Sequence, residues 1–349
     1  MSRPTIVDVA RAAGVSKATV SRVLSGNAEY MRPETRDRVL QAIDALNYRP
    51  SSVARSLTSK RTYTAGILVS DIANPFYPEV IQGAEEVALE SGYNIFLCNT
   101  SYDLDRGMTY VRSLIDKQVD GVLVMSSTMS DSWVEELAEH SIPTVILDWE
   151  VNTAIRGALG IIDVDFAAGI TAAVEHLVGL GHRRLAHVCG PLELHTSRLR
   201  HDAFHQATTA LDLAADQIML IQGNLRIDGG RLALQELLNA SHRPTAVFAA
   251  NDLMAIGIVR AARANGLQVP RDLSVIGLDN IWLIEDMEPP LTTVALPRYE
   301  IGRMAMEMLF DLLELDHASP SPDAPARIRR CVKTHLVVRQ STGRPASAA

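Results

Sequence analysis

A short basic surface near the N-terminus has the side chains and the spacing to contact DNA. Lys17, Ala18, Ser21 and Arg22 fall on the outer side of a predicted helix, and Val20 falls on its inward side. An outer face of this kind fits the major groove. These residues therefore predict binding of duplex DNA.

Two predicted helices and a glycine turn position this surface. Ala10 falls where the helices must cross closely, and Gly14 falls at the turn between them. Thr5, followed three residues later by Asp8, indicates the start of the first helix, and Ser16 can cap the second. The spacing is typical of a helix-turn-helix, and the alternative is an ordinary helical hairpin with a solvated basic face.

A third helix and a marginal segment follow. Pro33 suits a first helical turn, and apolar residues recur at helical spacing as far as Leu46. Pro50 favours an end to that helix, and residues 51–57 allow only a short helix that is unstable alone in water. This segment is either a plain linker or a segment that folds when it gains a partner.

Charge divides the chain into a basic and an acidic part. Residues 1–61 hold 11 Lys plus Arg against 5 Asp plus Glu, a net charge of +6, while the remaining residues carry −14 and the whole chain carries −8. The local charge supports contact with nucleic acid although the whole chain is acidic.

Length and composition set further limits. A chain of 349 residues allows two to three domains, and no apolar run approaches the length of a membrane-spanning helix. No charged stretch followed by an apolar run opens the sequence, so we expect no secretory signal and a cytoplasmic protein. Cys98, Cys189 and Cys331 lie far apart, which suits reduced thiols better than disulfides or a metal site.

From Thr64 onward, short apolar runs alternate with amphipathic helices. In a first series, strands are predicted at 65–70, 94–99, 121–125 and 144–147, and helices at 77–91, 103–117 and 131–140. In a second series, strands are predicted at 185–188, 246–249 and 274–278, with a helix at 252–265. The alternation predicts two α/β halves, each with a parallel sheet covered on both faces.

The predicted strands of both halves end in polar and aromatic side chains. Ligands of open parallel sheets bind beyond the carboxyl ends of the strands, so two facing halves make a cleft. The side chains at these ends include Asp71, Asn74, Phe76, Tyr77, Asp148, Trp149, Arg198, Arg200, Asn251, Asp252, Asp279 and Asn280. Carboxylates, amides and arginines hydrogen-bond hydroxyl groups, which favours a polyhydroxylated ligand. The alternative for each single Asp or Asn is a helix cap.

Several stretches of the first sixty residues carry a specific resemblance. They are Asp8-Val9-Ala10 with Gly14-Val15-Ser16, Thr19-Val20-Ser21-Arg22-Val23, Ala42-Ile43 with Leu46-Asn47-Tyr48, and Val53-Ala54-Arg55-Ser56-Leu57. With these, the chain resembles the lactose-repressor/galactose-repressor (LacI/GalR) family of bacterial transcription regulators, most of all its ribose-repressor and purine-repressor branch. The resemblance implies an N-terminal all-α helix-turn-helix domain with a hinge helix, followed by a two-lobed periplasmic-binding-protein-like domain with two doubly wound parallel sheets.

The resemblance also implies roles in DNA binding. Lys17, Ala18 and Arg22 would meet base edges in the major groove, where Lys and Arg favour guanine O6 and N7. The residues that resemble phosphate contacts are Ser16, Thr19, Ser21 and Asn27. Residues 51–57 would form the hinge helix, and Leu57 would wedge into the minor groove at the centre of a palindromic operator.

Roles in the cleft are implied in the same way. The residues that resemble polar effector contacts are Asp148, Arg200, Asn251 and Asp279. The residues that resemble stacking walls are Phe76, Tyr77 and Trp149. Arg198 and Asn74 are second choices. Together they imply a small effector, either a sugar, a sugar derivative or a nucleoside.

Two positions depart from the family pattern. Leu225 stands where an aromatic residue is common, and Leu296 stands where the ribose and purine branch usually has Gln. Both residues make the expected cleft less polar, which argues against assigning ribose as the effector from the resemblance alone.

The sequence fits an enzyme, a metal-binding protein or a transport component less well than a regulator. The sequence has no Gly-x-Ser-x-Gly, no phosphate-binding Gly-x-x-x-x-Gly-Lys-Ser/Thr and no Gly-x-Gly-x-x-Gly, which argues against an enzyme. His201 and His205 have a zinc-compatible i, i+4 spacing, but no Cys or His neighbours complete a set, so we expect no metal and no cofactor. A sugar-binding transport component or sensor would share the two halves but lack residues 1–57. The chain could also be an activator or a co-repressor-dependent regulator, because the conformation that the ligand prefers decides whether it weakens or strengthens DNA binding.

The sequence thus predicts a dimeric repressor of catabolic or transport genes. The expected domains are 1–58 for DNA binding, with the hinge at 51–57, and 62–340 for effector binding and dimerisation. Lobe 1 would comprise 62–162 and 293–325, lobe 2 would comprise 163–291 and 327–340, and 341–349 would be a tail. Because this tail has no apolar heptads, we expect a dimer and not a tail-assembled tetramer.

Overall fold

The chain divides into two compact units, Met1–Tyr63 and Thr64–Ala349. The structure is a computed structural model that describes residues 4–24, 31–49, 61–149, 155, 157–318 and 326–346. Asn27 and the expected hinge helix at 51–57, with Leu57, lie outside the described residues.

Three helices form the core of the N-terminal unit. They are α1 (Ile6–Ala13), α2 (Lys17–Leu24) and α3 (Pro33–Ala45). Val9, Val20 and Val39, one from each helix, are fully buried against one another. Gly14 ends α1 with a φ of 63°, a left-handed conformation that glycine adopts without strain. The turn and the buried stripe therefore have the form that the sequence predicts.

The first sheet of the second unit has six parallel strands in the order β11-β5-β4-β3-β1-β2. Its strands are β1 (Thr64–Val69), β2 (Asn94–Asn99), β3 (Gly121–Met125), β4 (Thr144–Leu147), β5 (Leu159–Asp165) and β11 (Arg327–Lys333). The helices that follow its first three strands are α4 (Phe76–Glu90), α5 (Leu104–Asp116) and α6 (Asp131–Glu139). We call this half the first lobe.

The second sheet has the order β12-β10-β9-β8-β6-β7, with only β12 antiparallel to its neighbour among the described strands. Its strands are β6 (Leu185–Cys189), β7 (Ile218–Gln222), β8 (Ala246–Ala249), β9 (Ser274–Asp279), β10 (Thr292–Ala295) and β12 (His335–Val337). The long helix α11 (Arg298–Ala318) packs on α4 and on the first sheet. The long helices of the second half are α7 (Phe166–Gly179), α8 (His195–Ala210), α9 (Ile227–Asn239) and α10 (Asp252–Ala264), and short 3₁₀ helices lie at Ala215–Gln217 and Trp282–Ile284. We call this half the second lobe.

Both sheets reverse their strand order at an equivalent point. In the first sheet β1 lies between β2 and β3, and in the second β6 lies between β7 and β8. A ligand crevice opens outside the carboxyl ends of the strands at such a reversal. The fold therefore places one crevice in each lobe, as the alternating sequence pattern predicts.

The expected lobe boundaries need correction. β10 (Thr292–Ala295) was assigned mostly to the first lobe, but it pairs with β9 in the second sheet. The segment 327–333 was assigned to the second lobe, but it pairs with β5 in the first sheet, and β5 itself runs to Asp165. The arginine-rich β11 is an edge strand, so its sequence lacks the apolar run by which the inner strands are recognised.

The described part of the expected tail belongs to the second lobe. Ser341 is fully buried, and its carbonyl oxygen accepts a hydrogen bond from the Val275 N–H at 2.8 Å. His182 Nε2 lies 2.9 Å from the carbonyl oxygen of Gly343. Residues 341–343 thus continue the domain that was expected to end at 340.

No helix in the described residues is long and apolar enough to cross a membrane. Within the same residues, no group of three or more His, Cys, Asp or Glu side chains could hold a metal ion. The rings of His201 and His205 are 6.5 Å apart, and His201 stacks on His187 at 5.7 Å.

Candidate functional site

The exposed face of α2 carries the residues predicted to contact DNA. Lys17, Ala18, Ser21 and Arg22 are exposed, whereas Val20 on the same helix is fully buried. The helix thus separates its polar face from its core face, as the sequence predicts.

Local hydrogen bonds cap the N-termini of both α1 and α2. The Thr19 N–H donates to Ser16 Oγ at 3.1 Å, so Ser16 caps α2. Thr5 and Asp8 form a reciprocal capping box at the start of α1, with the Thr5 N–H donating to Asp8 Oδ2 at 2.9 Å. Both helices therefore begin at the residues where the sequence predicts their caps.

The second unit contains a cavity at the carboxyl ends of both sheets, which we call the inner chamber. Its polar and aromatic lining from the first lobe includes Asn74, Phe76, Tyr77, Tyr102, Ser126, Ser127 and Asp148. Its lining from the second lobe includes Thr196, Arg200, Asn251 and Asp279. Seven of the nine residues that the sequence singled out for the effector therefore line one chamber, to which both lobes contribute.

Two buried carboxylates flank one guanidinium in the inner chamber. Asp148 follows β4 and Asp279 ends β9, and the two are 6% and 3% exposed. Arg200 Nη2 lies 3.7 Å from Asp279 Oδ1, and Arg200 Nη1 donates to the carbonyl oxygen of Ala250 at 2.7 Å. The guanidinium also lies over the ring of Phe166 at 4.9 Å. Arg200 is thereby held in place before any ligand arrives.

Three polar atoms of this group have no hydrogen-bond partner within the protein. They are Asp148 Oδ2, Asp279 Oδ1 and Arg200 Nε. A buried polar atom without a partner is costly, and a ligand that supplies the partner removes that cost. The chamber therefore presents two hydrogen-bond acceptors and one donor to its contents.

Burial changes the acidity of both carboxyl groups. Burial raises the pKa of Asp148 to about 6, and the nearby Arg200 guanidinium partly opposes the rise. Burial likewise raises the pKa of Asp279 to about 6, against the opposing effects of Arg200 and Arg298. Both groups thus titrate within a unit or so of neutral pH.

Several lining residues occupy left-handed backbone conformations that are rare for residues other than glycine. Tyr102, Asp148, Leu225 and Asp279 have φ values of 61°, 54°, 62° and 116°. Such conformations cost free energy and concentrate at functional sites. Their clustering around one chamber supports a ligand-binding role for it.

Asn251 and Asp252 hold the chamber wall together. Asn251 Oδ1 caps α10 by accepting from the Met254 N–H at 3.0 Å, and its Nδ2 donates to the carbonyl oxygen of Leu225 at 2.8 Å. Asp252 is fully buried and accepts from Thr293 Oγ1 at 2.6 Å and from the Ile281 N–H at 2.8 Å. For Asn251 the helix-cap interpretation therefore holds alongside its position in the chamber.

Two residues expected in the cleft lie outside the inner chamber. Arg198 is exposed, its Nη1 donates to the carbonyl oxygens of Leu192 and Glu193 at 3.0 and 2.9 Å, and its side chain does not line the chamber. Trp149 lines a neighbouring groove, where its Nε1 donates to Asp131 Oδ1 at 3.1 Å.

Sequence reasoning missed several lining residues. Phe166 begins α7 directly after β5. β5 was not predicted, because its apolar positions alternate with polar ones. Tyr102 lies in the turn after β2, where no apolar pattern marks it. Leu225 and Leu296, which the sequence flagged as departures, both line the chamber.

Comparison with known proteins agrees with both units. The family model for bacterial regulatory proteins of the lacI family matches residues 5–51, and that for the periplasmic binding protein-like domain matches residues 174–342. The HTH-type transcriptional repressor PurR of Vibrio atlanticus (strain LGP32) is 39% identical over 315 residues, which cover 90% of this chain and 93% of the relative. The chain belongs to the LacI family.

Solved structures of LacI-family proteins share the fold. The Lac repressor dimer bound to operator and the anti-inducer ONPF has a TM-score of 0.84 at 28% identity and covers 98% of this chain and 100% of its own. The transcriptional regulator CelR in complex with cellobiose has a TM-score of 0.71 at 30% identity and covers 97% of this chain and 100% of its own. This LacI-family chain is therefore a DNA-binding transcriptional regulator and not an enzyme, and the predicted fold class is confirmed.

Proposed function

We propose that this chain represses catabolic or transport genes, and that a small uncharged polyhydroxylated ligand in the inner chamber controls its affinity for the operator. The observation that carries the proposal is the buried group of Asp148, Asp279 and Arg200, each with an unpartnered polar atom. Two ionised carboxylates beside one guanidinium leave a net negative charge, which disfavours anionic ligands and favours hydroxyl donors. The cellobiose bound to the structural relative CelR supports a sugar-like ligand.

The expected DNA contacts become part of this proposal. Lys17, Ala18 and Arg22 would meet base edges. Ser16, Thr19, Ser21 and Asn27 would meet phosphates. Exposure of the α2 face and the basic charge of residues 1–61 support this assignment. Leu57 would be the minor-groove wedge, supported by the sequence resemblance of residues 53–57.

Pairing of two chains on a palindromic operator completes the proposed mechanism. The Lac repressor, whose structure is similar over nearly the whole chain, is a dimer bound to operator, which supports the same assembly here. The protein would act in the cytoplasm, where its DNA lies. A ligand that prefers one arrangement of the two lobes would shift DNA affinity 5- to 150-fold with a coupling free energy of about 1 to 3 kcal/mol.

Thermal unfolding of the full-length protein tests the ligand class. Pentoses, hexoses, nucleosides and purines are compared in turn, since a ligand at a hundred times its Kd stabilises a protein by about 2.7 kcal/mol. We expect a rise in Tm with at least one uncharged polyol, and no rise with the 5-phosphate or 6-phosphate ester of the same sugar. Stabilisation by phosphate esters alone would contradict the proposal.

The same ligand added to a complex with operator DNA, selected from random duplexes, gives the sign of regulation. A regulator of the proposed kind changes its operator affinity by at least fivefold. An unchanged affinity would show that the chamber does not control DNA binding.

A further inference from the structure

A second cavity, which we call the outer groove, adjoins the inner chamber. Tyr102, Ser127 and Leu225 line both cavities. The outer groove has a volume of about 710 Å³, against about 60 Å³ for the inner chamber. The two therefore form a narrow polar end and a wide outer end of one continuous cleft.

The inner chamber is too small to enclose a whole ring in this conformation. Its volume of about 60 Å³ is well below that of an apolar cavity which holds benzene, roughly 150 Å³. A ring whose hydroxyls reach Asp148 and Asp279 therefore leaves part of itself, and any substituent, in an adjoining cavity. Two cavities share lining residues with the chamber, a charged one that includes Asp71, Asp228 and Arg231 and the outer groove, and an apolar substituent fits the outer groove.

The polar side chains of the outer groove are largely paired with one another. Asp131 accepts from Trp149 Nε1 at 3.1 Å, and Arg226 Nη2 lies 3.4 Å from Asp71 Oδ2. Asn224 Oδ1 accepts from the Arg226 N–H at 3.0 Å. Because these groups are already engaged, few of them offer hydrogen bonds to an occupant.

Apolar side chains supply the free surface of the outer groove. Leu104, Met129 and Trp149 come from the first lobe, and Pro191 and Leu194 come from the second. Leu104 is 50% exposed at the first residue of α5. The hydrogen bond to Asp131 fixes the Trp149 indole, so it offers a preorganised flat surface.

From this arrangement we propose that the effector has two parts, a polyol ring held by the inner chamber and a flat apolar substituent bound in the outer groove against Leu104, Trp149 and Leu194. This deepens the proposed function and rests on it, because the ring uses Asp148 and Asp279. Both lobes contribute to the groove walls, so the substituent binds best when the lobes have their present spacing. The substituent therefore increases the affinity of the ligand for this arrangement of the lobes, and it increases the preference of the ligand for this arrangement over any other.

Matched glycosides test the proposal by calorimetric titration of the full-length protein. The probes are the methyl and phenyl β-glycosides of ribofuranose, xylopyranose, glucopyranose and galactopyranose. We expect the phenyl member of at least one pair to bind tenfold or more tightly than its methyl partner. Equal affinities within every binding pair would overturn the two-part effector while leaving the proposed function standing. Failure of all eight compounds to bind would overturn the two-part effector, whereas the proposed function fails only if no uncharged polyol of the thermal-unfolding panel raises the Tm.

Two variants locate the apolar substituent. In Leu104→Ser the phenyl-to-methyl affinity ratio should fall below threefold, because the exposed apolar wall is lost. Leu315→Ser is the matched control, since Leu315 is 49% exposed on α11 and lines neither cavity. A ratio that stays tenfold in Leu104→Ser, or that falls equally in Leu315→Ser, would place the substituent elsewhere.

Discussion

If Asp148 and Asp279 contact the ligand as proposed, ligand binding in the inner chamber depends on their protonation. Burial raises the pKa of each to about 6, so both are ionised in most molecules above pH 7 and protonated in most molecules near pH 5. Ionised carboxylates accept the stronger hydrogen bonds from ligand hydroxyls. The ligand therefore binds the deprotonated form, and affinity increases as pH rises through 6.

Ligand affinity should therefore fall as the pH is lowered through 6. Between pH 7.5 and pH 5.5, ligand affinity should fall by about fourfold for each carboxylate that must lose a proton, and by on the order of tenfold for both. Titration calorimetry at several pH values, without DNA, measures this. Asp148→Asn should flatten the dependence, and an affinity that rises as the pH falls would contradict the assignment.

Arg200 and Arg198 form a matched pair of the same residue type on one helix. Arg200 Nε has no partner in the chamber, while Arg198 is bonded to loop carbonyls outside it. We predict that Arg200→Ala weakens ligand binding by ten- to a hundredfold, because one charge-assisted hydrogen bond is lost and two buried carboxylates lose their neutralising cation. Arg198→Ala should change affinity by less than threefold. The prediction fails if the two variants behave alike in a ligand titration.

Sequence patterns predicted most residues of the chamber because strand ends are easy to find when the strand is apolar. β1, β3, β8 and β9 are continuous apolar runs, so the residues after them were placed correctly. The distances between these residues could not be predicted from the sequence. Whether Asp148 and Asp279 find hydrogen-bond partners depends on how the two lobes face each other, which local patterns do not encode.

At the scale of secondary-structure elements, the close contact between α4 and α11 positions the aromatic side chains of α4 that line the chamber. Phe76 and Tyr77 form the first turn of α4. A Cβ on Gly83 would lie 2.1 Å from the Tyr299 carbonyl oxygen, and one on Gly302 would lie 1.8 Å from the Val80 carbonyl oxygen. Neither backbone can yield without moving the helices apart.

We therefore predict that Gly302→Ala destabilises the second unit by about 1 to 3 kcal/mol, the usual cost of overpacking. Chemical denaturation followed by circular dichroism measures the change. Gly179→Ala is the control, because Gly179 ends α7 with no atom within 4 Å of an added Cβ. Equal stability of the two variants would mean that the helices separate at little cost.

The elements that sequence patterns missed share a physical cause. β5 alternates buried and half-buried residues, β7 is an edge strand with an exposed leucine, and β11 is rich in arginine. β5 and β11 lack the unbroken apolar run of a strand covered on both faces, and the short apolar run of β7 is only partly buried because the strand lies at the sheet edge. The lobe assignment of β10 and β11 also depends on long-range pairing, which local pattern does not encode.

At the scale of the whole molecule, two edge strands carry exposed apolar side chains. Phe96 and Leu97 on β2 and Leu220 on β7 are 41 to 47% exposed, and each strand ends its sheet. Exposed apolar edges of this kind are covered in stable proteins. We therefore propose that the partner chain covers them in the homodimer.

We predict that Leu97→Lys together with Leu220→Lys converts the dimer to a monomer in sedimentation velocity and weakens operator binding by at least tenfold. Two buried charges at an interface cost more than the apolar contacts they replace. Val338→Lys, at a position 54% exposed just beyond the opposite edge strand β12, should remain dimeric. A monomeric wild-type protein would refute the proposed assembly itself.

The last strands of the chain complete both sheets, and this has a consequence for synthesis on the ribosome. β11 closes the first sheet, whereas β12 and Ser341 close the second, so neither lobe is whole until the C-terminal residues emerge. The helices at 6–45 are available hundreds of residues earlier and can fold first. A nascent chain can therefore present its DNA-reading helix before its ligand cleft exists, and a premature stop codon before residue 327 would remove an edge strand from both sheets while sparing the helix-turn-helix.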